Sequence, residues 1–284
     1  MERVGTIPRK TANEGIRPEN YRLLQCYLRE RSGVVLEADK GYLVAARLGP
    51  LAQDLGLAGV DDLCALLRAT QDAEVGRRVV EAMTTNETYF FRDPAQFEAI
   101  RKELLPQLRL GPGASRRVRF WSAAASTGQE AYSLAMLLLE EGFGGWNVEI
   151  LATDINRQVL EKARRGVYGQ LEINRGLAAP LLLKYFRRIG LDWQIGEQVR
   201  ALVRFEEFDL REAMVGREPF DAVLCRNVLI YFDAETKQRI LKGVARVLAP
   251  GGWLLLGGAE TAFGLEAFFE RVTIGQAVVY RVRD

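Results

Sequence analysis

The chain has 284 residues, 48% of them hydrophobic and 27% charged, which suits one large or two ordinary domains with a buried core. A formal net charge of +2 is too near balance to suggest a nucleic-acid or membrane partner. Histidine is absent, which excludes a Ser-His-Asp triad, a Cys-His pair and any histidine-ligated metal; no metal site is expected.

Residues 1–17 begin M-E-R-V-G-T-I-P-R-K, without an apolar h-region and with little periodicity. They read as a flexible arm with no secretory signal. No apolar stretch in the chain is long enough to span a bilayer. Cys26, Cys64 and Cys225 lie far apart without a C-x-x-C pair, as expected for reduced thiols in a cytoplasmic protein.

Helical spacing then dominates. Tyr21, Leu24, Tyr27 and Leu28 share one face; Tyr42, Leu43, Ala46 and Leu51 suggest a second helix. Asp62, Leu63, Leu66 and Leu67 suggest a third, and Val75, Val79, Val80 and Met83 a fourth. The stretch T-T-N-E-T-Y-F-F-R-D follows. Its Asp93-Pro94 end predicts a helix start, with Asp93 as N-cap and proline at the first helical position. Phe97, Ile100, Leu104 and Leu105 continue that helix until Leu110-Gly-Pro-Gly113 breaks the chain.

After the break strands and helices alternate. Strands are predicted at Val118–Ser122, Val148–Thr153, Val203–Phe208, Phe220–Cys225 and Trp253–Leu256. Helices are predicted at Gly128–Glu141, Arg157–Arg165 and Glu235–Leu248, the last stopped by Pro250-Gly251-Gly252. Phe269–Val282 reads as two closing strands around Gly275. This alternation predicts an α/β fold with a mostly parallel sheet covered on both faces and an antiparallel edge.

The first strand delivers W-S-A-A-A-S-T-G-Q-E-A-Y, Trp121 to Tyr132, to the end of the sheet where ligands bind. Ala123, Ala124 and Ala125 would let a ligand approach the backbone, though a plain strand–helix turn reads the same way. Asp154, at the tip of the second strand, is placed to accept a ribose diol or to cap the next helix. Glu130 stands where a dinucleotide site would need glycine; it repels phosphate and suits an ammonium group. Together they favour S-adenosylmethionine over a nicotinamide dinucleotide.

T-T-N-E-T-Y-F-F-R-D, W-S-A-A-A-S-T-G-Q-E-A-Y-S, T-D-I-N-R-Q-V-L-E-K-A-R-R-G-V-Y and F-D-A-V-L-C-R-N-V-L-I-Y-F-D closely resemble the CheR-type chemotaxis receptor methyltransferases, in order, over roughly residues 20–284. The resemblance implies a Rossmann-like S-adenosylmethionine-dependent methyltransferase sheet. An all-helical N-terminal domain would precede it, and a small antiparallel β-subdomain would be inserted in it. The expected division is an arm at 1–17, a helical domain at 18–84, a linker and cofactor-lining motif at 85–113, and a methyltransferase domain at 114–284 with the β-subdomain near 172–202.

The activity implied is methyl transfer to glutamate side chains on the cytoplasmic helices of a methyl-accepting chemoreceptor, with S-adenosylhomocysteine as product. Asn86, Thr88, Arg92, Ala123, Glu130, Asp154, Asp209, Leu210, Arg226 and Asn227 would line the cofactor site. Arg92 and Tyr231 would face the substrate carboxylate. Gln129 and Ala131 depart from the usual S-T-G-E-E-P-Y-S loop. Gly257–Glu260 reads G-G-A-E where G-H-S-E is usual, and Asp209 stands where Asn is common.

The family's second helix carries a basic docking face; here Lys40 and Arg47 are its expected members. Some members add a receptor's C-terminal pentapeptide as a strand to the β-subdomain, using a longer, glycine-rich loop. Lys184–Arg200 keeps only Gly190 and Gly196, so no pentapeptide tether is expected. A monomer without stable membrane insertion is expected. Two other readings stand beside this one. The fold could serve a different substrate class, although R-N-V-L-I-Y-F replaces the N-P-P-F-like turn of amino-group methyltransferases acting on bases. It could also be a non-catalytic scaffold.

Overall fold

The computed structural model describes residues 15–70, 72–110 and 116–283. Most of the expected N-terminal arm, residues 1–14, and the Gly111–Gly113 break therefore lie outside the described residues. The chain divides into two compact units, one ending at Thr85 and one beginning at Asn86.

The first unit is helical: α1 (Pro18–Ser32), α2 (Gly41–Asp54), α3 (Val60–Ala69) and α4 (Ala73–Met83). Pro18 opens α1 without losing a needed N–H, and Gly33 closes it at φ 75°. Asp72 caps α4 by accepting from the amides of Glu74 and Val75. The core gathers Tyr21, Leu24 and Leu28 from α1, Leu63 and Cys64 from α3, and Val75, Val79, Val80 and Met83 from α4. Ile16 is also buried, so the segment just before α1 is packed rather than loose.

Of the expected face of helix α2 only Leu51 is buried. Val44, Leu48, Leu51 and Ala52 are buried, while Tyr42 is 62% exposed and Ala46 faces solvent. Arg47 is also not a free docking charge. Its guanidinium donates to the carbonyls of Met83 (2.6 Å) and Thr84 (3.1 Å) and to Thr85 Oγ1 (2.9 Å), closing the end of α4. Lys40 is ion-paired locally with Glu37 and Asp39.

The second unit opens with α5 (Pro94–Ala99), a single π-helical turn (Ile100–Leu104) and α6 (Leu105–Leu110). Then come β1 (Arg117–Ala123), α7 (Gln129–Glu140), β2 (Asn147–Asp154) and α8 (Arg157–Arg165). An insertion follows: β3 (Val167–Tyr168), α9 (Gln170–Ile173), α10 (Ala179–Tyr185), β4 (Phe186–Ile189), β5 (Asp192–Ile195) and α11 (Glu197–Arg200). The chain returns through β6 (Val203–Glu207), β7 (Phe220–Cys225), a 3-10 turn (Leu229–Tyr231), α12 (Ala234–Val247), β8 (Leu248–Leu256), β9 (Phe269–Ile274) and β10 (Ala277–Val282).

The main sheet has the order β6-β2-β1-β7-β8-β10-β9. The first five strands are parallel, and β10 and β9 add the antiparallel edge. Alternating residues feed two cores. Phe120, Ile150, Ala152, Leu224 and Leu255 face one; Trp121, Leu151, Val223, Leu254 and Leu256 face the other. Strand β8 begins sooner than the Pro-Gly-Gly signal implies: Leu248 already pairs with Phe220, and an irregularity absorbs the mismatch before Ala222 meets Trp253. The insertion is a separate three-stranded antiparallel sheet, β3-β5-β4, whose first strand starts at Val167. Among the described residues no helix is long and apolar enough to cross a membrane.

Candidate active site

Strand β1 lies between β2 and β7, where the strand order turns, so a crevice opens beyond its carboxyl end. Three non-glycine residues there take positive φ: Ala124 (61°) and Ser126 (51°) after β1, and Asn227 (57°) after β7. Such conformations cost of order 1–3 kcal/mol each and persist where neighbours hold them.

Asp154 ends β2 and is 8% exposed. Its oxygens accept from the amides of Ser126 (2.8 Å) and Asn156 (3.0 Å). The expected alternative, that Asp154 caps the next helix, does not hold; Asn156 caps α8. Burial pushes the Asp154 carboxyl up, while hydrogen bonds from the amides of Asn156, Ser126 and Ile155 pull it back. Two oxygens with these bonds still leave lone pairs for hydroxyl donors.

Glu130 lies in the first turn of α7 with its side chain 12% exposed. It accepts from Ser122 Oγ (2.7 Å) and Arg226 Nη1 (2.8 Å). Burial pushes this carboxyl up too, opposed mainly by Arg226. Arg226, itself buried, also donates from Nη2 to the Arg92 carbonyl (2.7 Å) and Asp93 Oδ2 (2.6 Å). Glu130, Asp93 and Arg226 together carry one net negative charge. Gly128, at φ 93°, allows the turn before α7, but its missing side chain serves packing: a Cβ there would lie 2.9 Å from that of Ala163.

The Asn86–Asp93 loop is laid against these strand ends. Ser126 Oγ donates to the Asn86 carbonyl (2.9 Å), and the Phe91 amide donates to Ser133 Oγ (2.9 Å). Asp93 is not the conventional N-cap expected from Asp-Pro. It sits at φ 58°, makes no side-chain cap bond, and gives its carboxylate to Arg226 instead. The Arg92 guanidinium donates to the Glu87 carbonyl (3.1 Å) and lies over the Tyr89 ring, and its charge also acts on Glu130. Thr88 is half-buried on the same loop.

The insertion clamps this loop from outside. Phe90 meets Tyr168 and Phe186 edge-on, and Arg175 pairs with Glu87. Gly176 takes φ 89°, and a Cβ on it would lie 1.9 Å from the Phe90 carbonyl oxygen. No other residue fits there.

Ala123 is buried at the end of β1. The β6 exit is tied to β2, since the Phe208 amide donates to the Asp154 carbonyl (3.1 Å). Beyond it, the Asp209 carboxylate is occupied by Arg211 through its backbone amide (2.9 Å) and guanidinium (Nη2, 2.6 Å), so only the Asp209 backbone is left for a ligand. Leu210 packs on the second core. Tyr231 is half-buried at the end of the 3-10 turn that follows Asn227. Ser122, Ser126, Gly176 and Glu260 were not singled out as site residues from sequence. For Glu260 one signal existed: an acid closing a Gly-Gly turn just after an apolar strand.

Two family models cover the chain. Residues 19–84 match the CheR methyltransferase, all-alpha domain, and residues 86–278 match the CheR methyltransferase, SAM binding domain. A chemotaxis protein methyltransferase of Vibrio parahaemolyticus is 38% identical over 273 residues, covering 94% of this chain and 98% of its own. Chemotaxis protein methyltransferase 1 of Pseudomonas aeruginosa is 37% identical, covering 93% and 98%. Chemotaxis protein methyltransferase Cher2 of Pseudomonas putida is 35% identical, covering 93% and 98%. Among matching solved structures, the glycopeptide N-methyltransferase MtfA complexed with S-adenosylmethionine is 17% identical, covers 65% of this chain and 58% of its own, and has a TM-score of 0.34.

The donors and acceptors at the crevice fit S-adenosylmethionine. Asp154 offers acceptors for hydroxyls, and the Glu130 carboxylate offers an acceptor for an ammonium group. Arg226 Nε–H is buried with no acceptor among the described residues, an unmet donor that a ligand carboxylate would satisfy.

Proposed function

Because this chain belongs to the CheR methyltransferase family, we propose that it methylates glutamate side chains on the cytoplasmic helices of a chemoreceptor, forming glutamyl methyl esters. It is an S-adenosylmethionine-dependent methyltransferase of the chemotaxis type, and near full-length identity to chemotaxis methyltransferases carries the reading of its substrate. The site chemistry agrees with that reading. A glutamate has an ordinary pKa of about 4.3, so at neutral pH its carboxylate is already the nucleophile and no base is required. Bound S-adenosylmethionine would supply a sulfonium methyl, so that the S–C bond would break as the carboxylate oxygen forms the C–O bond and the electron pair would stay on a neutral thioether sulfur.

The chain's residues then have positioning tasks. Asp154 holds the ribose, and Glu130, Asn86, Thr88 and Asn227 hold the amino-acid end. Ala123 lets the cofactor lie close to β1, while the Asp209-Leu210 backbone flanks the adenine. Arg226 fixes Glu130, the Arg92 carbonyl and the Asp93 carboxylate, and keeps its Nε–H for the cofactor carboxylate. Arg92 and Tyr231 orient the incoming carboxylate. Alignment of this kind contributes roughly 7–11 kcal/mol in well-oriented reactions.

The test is methyl transfer from labelled S-adenosylmethionine into membranes containing candidate receptors. Label that is released as methanol in mild alkali, and is lost when the receptor glutamates are changed to alanine, supports the ester. Alkali-stable label would refute it.

A further inference from the structure

Glu260 is 8% exposed, and its carboxylate is saturated by backbone amides. Oε1 accepts from Leu229 (2.7 Å) and Ile230 (3.3 Å); Oε2 accepts from Asn227 (2.7 Å) and Gly257 (2.7 Å). The first three amides belong to the segment leaving β7, and the fourth to the exit of β8. The Glu260 amide donates to the Gly257 carbonyl (2.9 Å), so a tight turn folds the side chain back onto both strand ends. Gly257 completes the fit: a Cβ there would lie 2.5 Å from Asn227 Nδ2 and 2.7 Å from Glu260 Oε2. Gly258, its neighbour, faces open space.

We propose that Glu260 is a positioning residue for methyl transfer, whose carboxylate holds the Asn227–Tyr231 segment in its working conformation. Asn227 is held at φ 57°, an uncommon value for a non-glycine residue, and the bond from its amide to Oε2 fixes it there. The Leu229 and Ile230 bonds fix the turn that ends in Tyr231. Only a carboxylate satisfies this arrangement. Its two oxygens are acceptors throughout, whereas glutamine would turn an NH2 group toward one of the amide pairs. The proposal rests on the reading that Asn227 serves the cofactor and Tyr231 the substrate, but the clamp itself has its own readout.

Amide hydrogen exchange of ligand-free protein measures the clamp directly. In Glu260→Gln, exchange at residues 227, 229, 230 and 257 should accelerate while the sheet core stays protected. S-adenosylhomocysteine, titrated by calorimetry, should bind roughly tenfold more weakly. Gly257→Ala, which crowds both Asn227 Nδ2 and Glu260 Oε2 where the clamp closes, should also weaken binding, and Gly258→Ala should not. A folded Glu260→Gln protein with unchanged exchange at those amides and unchanged affinity overturns the proposal. If that variant does not fold, unchanged affinity in Gly257→Ala overturns it. Asn227→Ala separates the two readings. Weaker binding in Glu260→Gln with none lost in Asn227→Ala would remove Asn227 from the cofactor site and leave the clamp standing.

Discussion

Replacing Arg226 with methionine keeps an unbranched apolar stem and removes the guanidinium with its charge. The structure sets the size of the effect. Arg226 is buried, and the variant leaves Glu130, 12% exposed, with Ser122 as its one remaining hydrogen-bond partner among the described residues. Breaking a buried pair while leaving one charge behind costs about 3–5 kcal/mol. The Asp93 carboxylate is 41% exposed and adds at most about 1 kcal/mol, because water replaces its partner. For a unit the size of residues 86–284, each kcal/mol moves the thermal midpoint by about 2–4 °C. Arg226→Met should therefore lower the midpoint by roughly 6–24 °C in scanning calorimetry. The Glu130→Gln/Arg226→Met double variant removes both charges and should recover at least half of the loss, because a neutral pair needs no counter-charge. S-adenosylhomocysteine affinity should stay low in both proteins. A single variant within about 2 °C of wild type, or a double variant no better than the single, would refute the buried-pair account.

Gly176→Ala combines positive φ with a collision at the Phe90 carbonyl and should cost about 2–5 kcal/mol, with weaker S-adenosylhomocysteine binding as the Asn86–Asp93 loop shifts; unchanged melting would show that the insertion yields freely. Burial raises the carboxyls of Asp154 and Glu130, and the cofactor favours their ionised forms. Affinity should therefore start falling above the usual carboxylate range as pH drops, and Asp154→Ala should bind weakly and flatten part of that profile. For stability the sign is opposite: the unfolded chain releases these two protons first, so both groups cost stability at neutral pH, and that cost disappears below the ordinary carboxylate pKa. A pH-independent affinity from 5 to 8 in wild type, measured by calorimetry, would contradict the assignment. The β4–β5 hairpin is joined by Gly190-Leu191 alone, leaving no extended loop to form a side-chain pocket, so a Trp- and Phe-containing receptor-tail peptide should not bind; saturable micromolar binding that is lost on mutating 190–196 would reverse this expectation.

The central strands were legible because burial on both faces writes a mostly apolar run, as in Phe220–Cys225, broken only by Asp221, and the structure places that strand at the same residues. Helix α8 was legible from its spacing and its basic last turn. Helix α2 was not. It carries two apolar stripes, and spacing alone cannot say which one meets a partner; Val44 and Leu48 won over Tyr42 and Ala46. Asp93 misled for a related reason. Asp-Pro is a sound local capping signal, yet a guanidinium 133 positions away competes for the carboxylate and wins. Glu130 and Asp154 were visible as acids at strand ends, but their partners were not, since hydrogen bonds between distant segments leave no trace in local pattern. Glu260 shows the same limit: its four donors come from backbone, which no sequence displays.

The long reach of these bonds also shapes how the chain comes together. The helical unit ends at Thr85 and is compact within that span, so it can form early as the chain leaves the ribosome. The second unit has no such freedom. Gln96 waits for the Leu256 carbonyl, 160 residues later, and Gln107 for Arg281, 174 residues later. Central strand β1 cannot be flanked on both sides until β7 has been made. Closing such distant pairs is entropically slow, so the catalytic half is the late-maturing part of the molecule. Until β8 and the turn after it emerge, the nascent chain displays a finished helical head and an open, adhesive sheet edge, the form most in need of chaperone cover.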